Sequence, residues 1–294
     1  MERSLHNDDS EKYHTDFNVY DFPVYIAEGI FSPYPGDKML AHWHDDIEIL
    51  QVLDGRMISR VNGCDTELGS GDIIYINSRQ IHFNHTVNNG CHYRTVQINP
   101  RIFLSAMPKN SAVERFLKDI SIRFYVYFNG SEENREISEL IDLLVYEYKE
   151  RQEFYELDVL SLVCRLFRKI CNNYNIPDSV TVSLSDSDLE IQREMITFIY
   201  EHFSEKITLE QIAASGHISR SKCCKMFLQY LSQSPVSFLT DYRLKESCYM
   251  LSETGNSLSQ IAQCCGFSEQ SYYNRMFKRK YGCTPLTYRK SSKK

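Results

Sequence analysis

Residues 261–290 read IAQCCGFSEQSYYNRMFKRKYGCTPLTYRK, and their spacing decides the architecture of the carboxy-terminal third. Ser257 caps a short helix bearing Leu258, Ile261 and Ala262, Gly266 supplies a turn, and Ser268 is expected to cap a second helix that runs through Tyr281 to Gly282. Fifty residues upstream the pattern recurs. Lys225-Met226-Phe227, seven residues, Pro235, two residues and Phe238 match Arg275-Met276-Phe277, seven residues, Pro285, two residues and Tyr288; Ile212-Ala213 precede Ile261-Ala262 by 49. Self-similarity at a fixed offset discloses a repeated supersecondary unit. In the first copy Thr208 and Gln211 have the spacing of a capping box, Gly216 breaks the helix and Ser219 caps the next. Each copy is therefore expected to be helix, tight turn, helix, with Ala213 and Ala262 at the crossings and Phe227 and Phe277 filling the core below.

Units of this shape offer their second helix to the major groove. Helical hairpins are common without that role, so spacing and charge must carry the reading. The helix expected between the copies, about Ser234 to Ser252, is ~28 Å long, and recognition helices entering successive major grooves sit ~34 Å apart. Over the whole chain 33 Lys+Arg stand against 39 Asp+Glu, a net charge of −6 that argues against a polyanion partner. Mapped along the chain the balance separates: residues 188–294 carry 15 basic and 10 acidic residues, net +5, and residues 1–187 carry −11. An acidic body with a basic end reads as two domains, the second with double-stranded DNA as its partner.

The segment 261–290 resembles the signature of the paired helix-turn-helix domain of the AraC/XylS transcriptional regulators, and the resemblance extends over residues 188–290. It implies that Ser221 and Lys225 of the first recognition helix, and Gln270, Ser271 and Arg275 of the second, face bases or flanking phosphates; Arg220, Lys222, Asn274 and Lys278 complete the expected contact set. Chemically, Arg275 suits a bidentate contact to guanine and Gln270 one to adenine. Lys222, Lys278, Arg279 and Lys280 suit phosphate.

Residues 17–98 read as short strands, Phe17–Ile26, Glu48–Leu53, Arg56–Val61, Ile73–Ile76 and Cys91–Ile98, separated by Asp54-Gly55, Asn62-Gly63, Gly69-Ser70-Gly71-Asp72 and Asn88-Asn89-Gly90. A β-barrel or jelly roll follows. Two amphipathic helices come next, one with Ile137, Leu140, Ile141, Leu144, Val145 and Tyr148 on one face, the other with Leu157, Leu160, Val163, Cys164, Phe167 and Ile170. They either cover the barrel or pair between subunits. The fold expected is α+β: a cupin-like barrel with following helices over 1–171, a linker over 172–187 rich in Asn, Ser and Asp, and an all-α domain of two helix-turn-helix units over 188–294.

The only tryptophan lies in His42-Trp43-His44, with Glu48 four residues on. On a strand His42 and His44 share a face, and His82 follows Gly71-Asp72 as a third imidazole. This stretch resembles the cupin motif, completely in its first half and partly in its second, where Asn77 and Arg79 stand at the positions usual for Pro and Gly. Three readings of His42, Trp43, His44, Glu48 and His82 stand open: a divalent metal site for zinc, manganese, iron or nickel, a polar pocket for a small effector such as a sugar or related metabolite, and internally hydrogen-bonded core histidines. Arg60, Arg79, Tyr75 and Tyr93 are further pocket candidates.

Ten cysteines without a CxxC pair read as reduced thiols, and no run approaches 18 consecutive apolar residues. These features, with the family resemblance, lead to a bacterial, cytoplasmic transcription regulator, homodimeric, engaging RNA polymerase if an activator, with no membrane partner and no enzymatic activity. The competing classes are a metal-dependent cupin enzyme with a DNA-binding tail and a DNA-binding protein whose barrel takes no ligand.

Overall fold

The computed structural model describes residues 15–16, 22–31, 39–119, 123–173 and 186–292. Most of the expected linker, 174–185, and the start of the first expected strand, 17–21, lie outside them. Two compact units divide the chain: Met1–Ser32, Trp43–Val61 and Asp65–Ser183 form one, and Leu184–Lys294 with Pro33–His42 and Asn62–Cys64 form the other.

The first unit is built on an antiparallel sheet of β1 (Thr15–Asp16), β2 (Val24–Phe31), β3 (Ile47–Val61), β4 (Cys64–Gly69), β5 (Ile73–Ile76), β6 (His82–Ile98) and β7 (Phe124–Tyr127). Its order is β1-β2-β6-β3-β5-β7, with β4 on β3. The strands Glu48–Leu53 and Arg56–Val61 expected separately are one strand, β3, and Cys91–Ile98 is the second half of β6. Asp54-Gly55 and Asn88-Asn89-Gly90 do not reverse the chain. They lie near one another across the β3–β6 ladder, whose register shifts between Val52 and Asp54 and between Gly55 and Met57. Gly55 (φ 86°) and Gly90 (φ 99°) both take left-handed backbone there, so the same residue chemistry that closes hairpins here bulges a long ladder and bends it. A Cβ on Gly55 would stand 2.7 Å from the Gly90 carbonyl oxygen. Asn62-Gly63 does turn the chain between β3 and β4, with φ of 50° and 86° as a two-residue hairpin requires.

Helices α1 (Arg101–Leu104) and α2 (Ala112–Lys118) precede β7, and α3 (Glu132–Glu150) and α4 (Tyr155–Asn173) follow it. One sheet face, including Val24, Ile26, Ile47, Ile49, Tyr75, Val96 and Ile98, shares a single apolar core with both long helices. All six expected residues of α3 are in it. On α4 the buried face is Tyr155, Val159, Leu162, Val163, Leu166, Phe167 and Ile170, while Leu157 is 66% exposed and Cys164 is exposed. The helix carries two overlapping apolar stripes, and the sheet takes the one that supplies more bulk.

The second unit contains α5 (Asp186–His202), α6 (Leu209–Ser215), α7 (Arg220–Leu231), α8 (Pro235–Glu253), α9 (Leu258–Cys264), α10 (Gln270–Tyr281) and α11 (Pro285–Ser292). Capping boxes open α6 at Thr208 and α9 at Ser257. The cap of α10 is Glu269, without a side-chain bond, not Ser268. The two tight turns are made differently. Gly266 turns the second copy at φ 75°, against the Phe203 carbonyl oxygen, which would stand 2.4 Å from an added Cβ. In the first copy His217 takes the left-handed conformation (φ 53°), while Gly216 gives way to Ile191 and Met195 of α5. All ten cysteines are free thiols, and no described helix is long and apolar enough to cross a membrane.

Candidate nucleic-acid interface and histidine cluster

The sequence repeat is also a repeat of burial. From Ser221 to Gln229 and from Ser271 to Arg279 the succession of exposed, half-buried and buried positions is identical. Cys223, Met226 and Phe227 turn inward on α7, and Tyr273, Met276 and Phe277 turn inward on α10. An amphipathic helix with this phase leaves Ser221, Lys225 and Leu228 along one outward stripe and Ser271, Arg275 and Lys278 along the other.

The nine expected DNA-contacting residues differ in what already holds them. Arg220 is paired with Glu210 at 2.6 Å and Lys222 with Asp188 at 3.2 Å. Ser221, Lys225, Gln270 and Lys278 are exposed. The Ser271 hydroxyl donates to Glu269 at 3.2 Å, and the Arg275 guanidinium lies over the Tyr272 ring, 5.3 Å from its centroid. Such stacking holds a guanidinium outward at low entropic cost. Asn274 is half-buried, with its Oδ1 buried and unbonded. Lys280, assigned above to phosphate, instead lies 3.2 Å from the Asp241 carboxylate with its side chain 15% exposed, tying α10 to α8. Arg289, part of the basic end, donates to the carbonyls of Leu251 and Asn256. Basic residues in the sequence thus overstate the charge offered outward.

Within the first unit His44 and His82 converge on Glu48, by different local structure from that expected. His42 sits on an isolated bridge and His44 in the irregular stretch before β3, not on one continuous strand. Glu48 is the second residue of β3 and His82 the first of β6. His44, Glu48 and His82 all belong to the first unit, whereas His42 falls in the share of the chain assigned to the second. Glu48 Oε2 is 3.2 Å from His44 Nε2 and 3.0 Å from His82 Nε2; Thr95 donates to Oε1 at 3.0 Å and Gln97 to Oε2 at 3.4 Å. Thr95 and Gln97 escaped the sequence reading, although they are polar residues at alternate positions of an expected strand. Burial alone would raise the Glu48 pKa; the hydrogen bonds and charge of His44 and His82 overcome it and hold the carboxyl well below the usual range.

Each histidine also has its Nδ1 against a backbone carbonyl oxygen: His42 against Leu40 at 3.0 Å, His44 against Asp46 and His82 against Gln80, both at 2.9 Å. A carbonyl only accepts, so Nδ1 carries the hydrogen. In a neutral ring Nε2 then presents a lone pair, toward a carboxylate that also only accepts. Imidazolium rings or a cation resolve this, and a divalent metal fits the donor set and its carbonyl support. Of the other pocket candidates, Trp43 meets the Arg79 guanidinium at 5.9 Å, Tyr75 lies in the core shared with the helices, Arg60 bonds Asp65, and Tyr93 stacks on Phe31.

A sheet domain followed by a doubled helix-turn-helix unit is the build of a DNA-binding regulator with a sensing domain. The AraC-like ligand binding domain family matches residues 25–167, and a helix-turn-helix domain family matches residues 212–291. The chain belongs to the AraC-type transcriptional regulators, with an amino-terminal ligand-binding domain and a carboxy-terminal DNA-binding domain. It is similar to the uncharacterized HTH-type transcriptional regulator YdeC of Bacillus subtilis (strain 168), 24% identical over 285 residues, 96% of this chain and 97% of that one. It is also similar to the HTH-type transcriptional activator RhaS of Mannheimia succiniciproducens, 22% identical over 263 residues, 87% of this chain and 91% of that one. Among solved structures ToxT from Vibrio cholerae O395 aligns with a TM-score of 0.47 at 13% identity, covering 91% of this chain and 97% of that one.

Proposed function

We propose that the chain is a cytoplasmic, homodimeric activator that reads two successive major-groove sites with α7 and α10 and answers to a small molecule in its amino-terminal domain. The observation that carries the DNA reading is the repeated burial phase, which turns Lys225 and Arg275 outward at equivalent positions. Arg220, Ser221, Lys222, Lys225, Gln270, Ser271, Asn274, Arg275 and Lys278 form the contact set, with Arg275 as the principal base reader. Domain limits of 1–171 for sensing and 188–294 for DNA, joined through 172–187, are part of the same reading. Similarity to an activator, RhaS, supports contact with RNA polymerase. Arg275→Ala is expected to weaken binding to the specific site by about 1–3 kcal/mol and to relax preference at one base, whereas Lys278→Ala weakens all sequences alike. Equal binding by both variants and wild type would refute the assignment of α10.

In the sensing domain His44, Glu48 and His82 would hold a divalent ion. The ion would supply a fixed positive charge and an exchangeable ligand position for an oxygen-bearing effector, a sugar or related metabolite. The role is recognition, not turnover. For the homodimer, the supporting observation is the outer side of α3 and α4, where Leu143, Tyr146 and Leu157 are exposed.

A further inference from the structure

The two recognition helices share one burial plan and differ in charge. Position for position, Lys225 corresponds to Arg275, Leu228 to Lys278 and Gln229 to Arg279. The remaining cations of α7 are engaged, Arg220 by Glu210 and Lys222 by Asp188, and so is Lys280 of α10 by Asp241. Among the described residues, α7 therefore keeps Lys225 outside any intramolecular ion pair, and α10 keeps Arg275, Lys278 and Arg279. Leu228 is 65% exposed, an apolar side chain on the stripe where α10 carries Lys278.

We propose, resting on the DNA-binding reading above, that the two units divide the work of binding. The second unit, beside its base reader Arg275, is the phosphate anchor that sets affinity and its salt dependence, and the first is a weakly charged reader that binds by fit. The reason lies in counterion release. Each phosphate neutralised by a cation contributes roughly 0.9 to the slope of log affinity against log salt. Lys278 and Arg279, one helical turn beyond Arg275, extend a line of cations toward the backbone. Leu228 and Gln229 release no counterions. Leu228 gains only by leaving water against an apolar groove surface, of which the thymine methyl is the base-edge example. That contribution is insensitive to salt and sensitive to sequence. Lys278 and Arg279 of the second unit then hold the chain on any duplex while Arg275 reads its base, and the first unit adds a preference that salt does not erode.

The test measures affinity of the full-length chain for its selected duplex and for an unrelated one across a salt series. The Lys278→Ala, Arg279→Ala double variant should lose about 1.8 from the slope on both duplexes, and Lys225→Ala about 0.9 or less. Leu228→Lys should add about 0.9 and tighten binding to the unrelated duplex, a gain that misfolding cannot mimic. The proposal is overturned if the double variant keeps the wild-type slope, if Lys225→Ala removes as much as the double variant does, or if Leu228→Lys changes neither slope nor unrelated binding. Wild-type protein that binds neither duplex would instead overturn the DNA-binding reading itself.

Discussion

Glu48 concentrates the chemistry of the amino-terminal unit. It is 3% exposed, holds its charge against burial, and takes hydrogen bonds from Thr95 and Gln97 while facing two imidazoles. An ionised carboxylate in that position is costly unless cations compensate it. A bound divalent ion stabilises the folded state by mass action. Zinc added to metal-stripped protein is accordingly expected to raise the thermal midpoint of the wild type by several degrees and that of a His44→Ala, His82→Ala variant hardly at all; equal shifts in both would remove the metal reading. The cluster was legible in the sequence as a set of residue types, because His42, His44 and Glu48 keep motif spacing. Its supports were not: the carbonyls of Leu40, Asp46 and Gln80 that fix the ring hydrogens are backbone groups, invisible to residue identity. Charge was similarly incomplete, since Lys280 reads as a phosphate contact and Arg289 counts toward the basic end until Asp241 and the carbonyls of Leu251 and Asn256 are seen to hold them.

At the scale of elements, the repeat at offset 50 was readable because helix caps, small crossing residues and core aromatics all recur in both copies. Turn chemistry was ambiguous. Asp54-Gly55 satisfies a hairpin and a bulge equally, since both need left-handed backbone, and only the partner strand decides between them. Helix α4 posed the same difficulty in another form: two apolar stripes overlap, and tertiary packing chooses Val159, Leu162 and Leu166 over Leu157 and Cys164. The stripe left outside is the proposed dimer surface. Leu157→Glu is expected to shift the chain from dimer to monomer in sedimentation or light scattering, with thermal unfolding changed by less than about 1 kcal/mol because the site is exposed in the single chain. An unchanged molecular mass would move the subunit contact elsewhere.

The whole molecule joins two units of opposite charge, and the average of −6 describes neither. An acidic sensing domain has no need to touch phosphate, and a basic domain with two outward helices is arranged to do little else. Helix α8, 19 residues long, spans ~28 Å between the two helix-turn-helix units, close to the ~34 Å repeat of successive major grooves. The most direct measurement of this account is selection of bound duplexes from a random pool by the full-length chain, followed by footprinting. The account predicts enrichment of two short conserved elements about 10–10.5 base pairs apart, centre to centre, on one face of the duplex, with the Arg275→Ala protein losing preference in only one of them. Enrichment of a single short element, or of none, would contradict it.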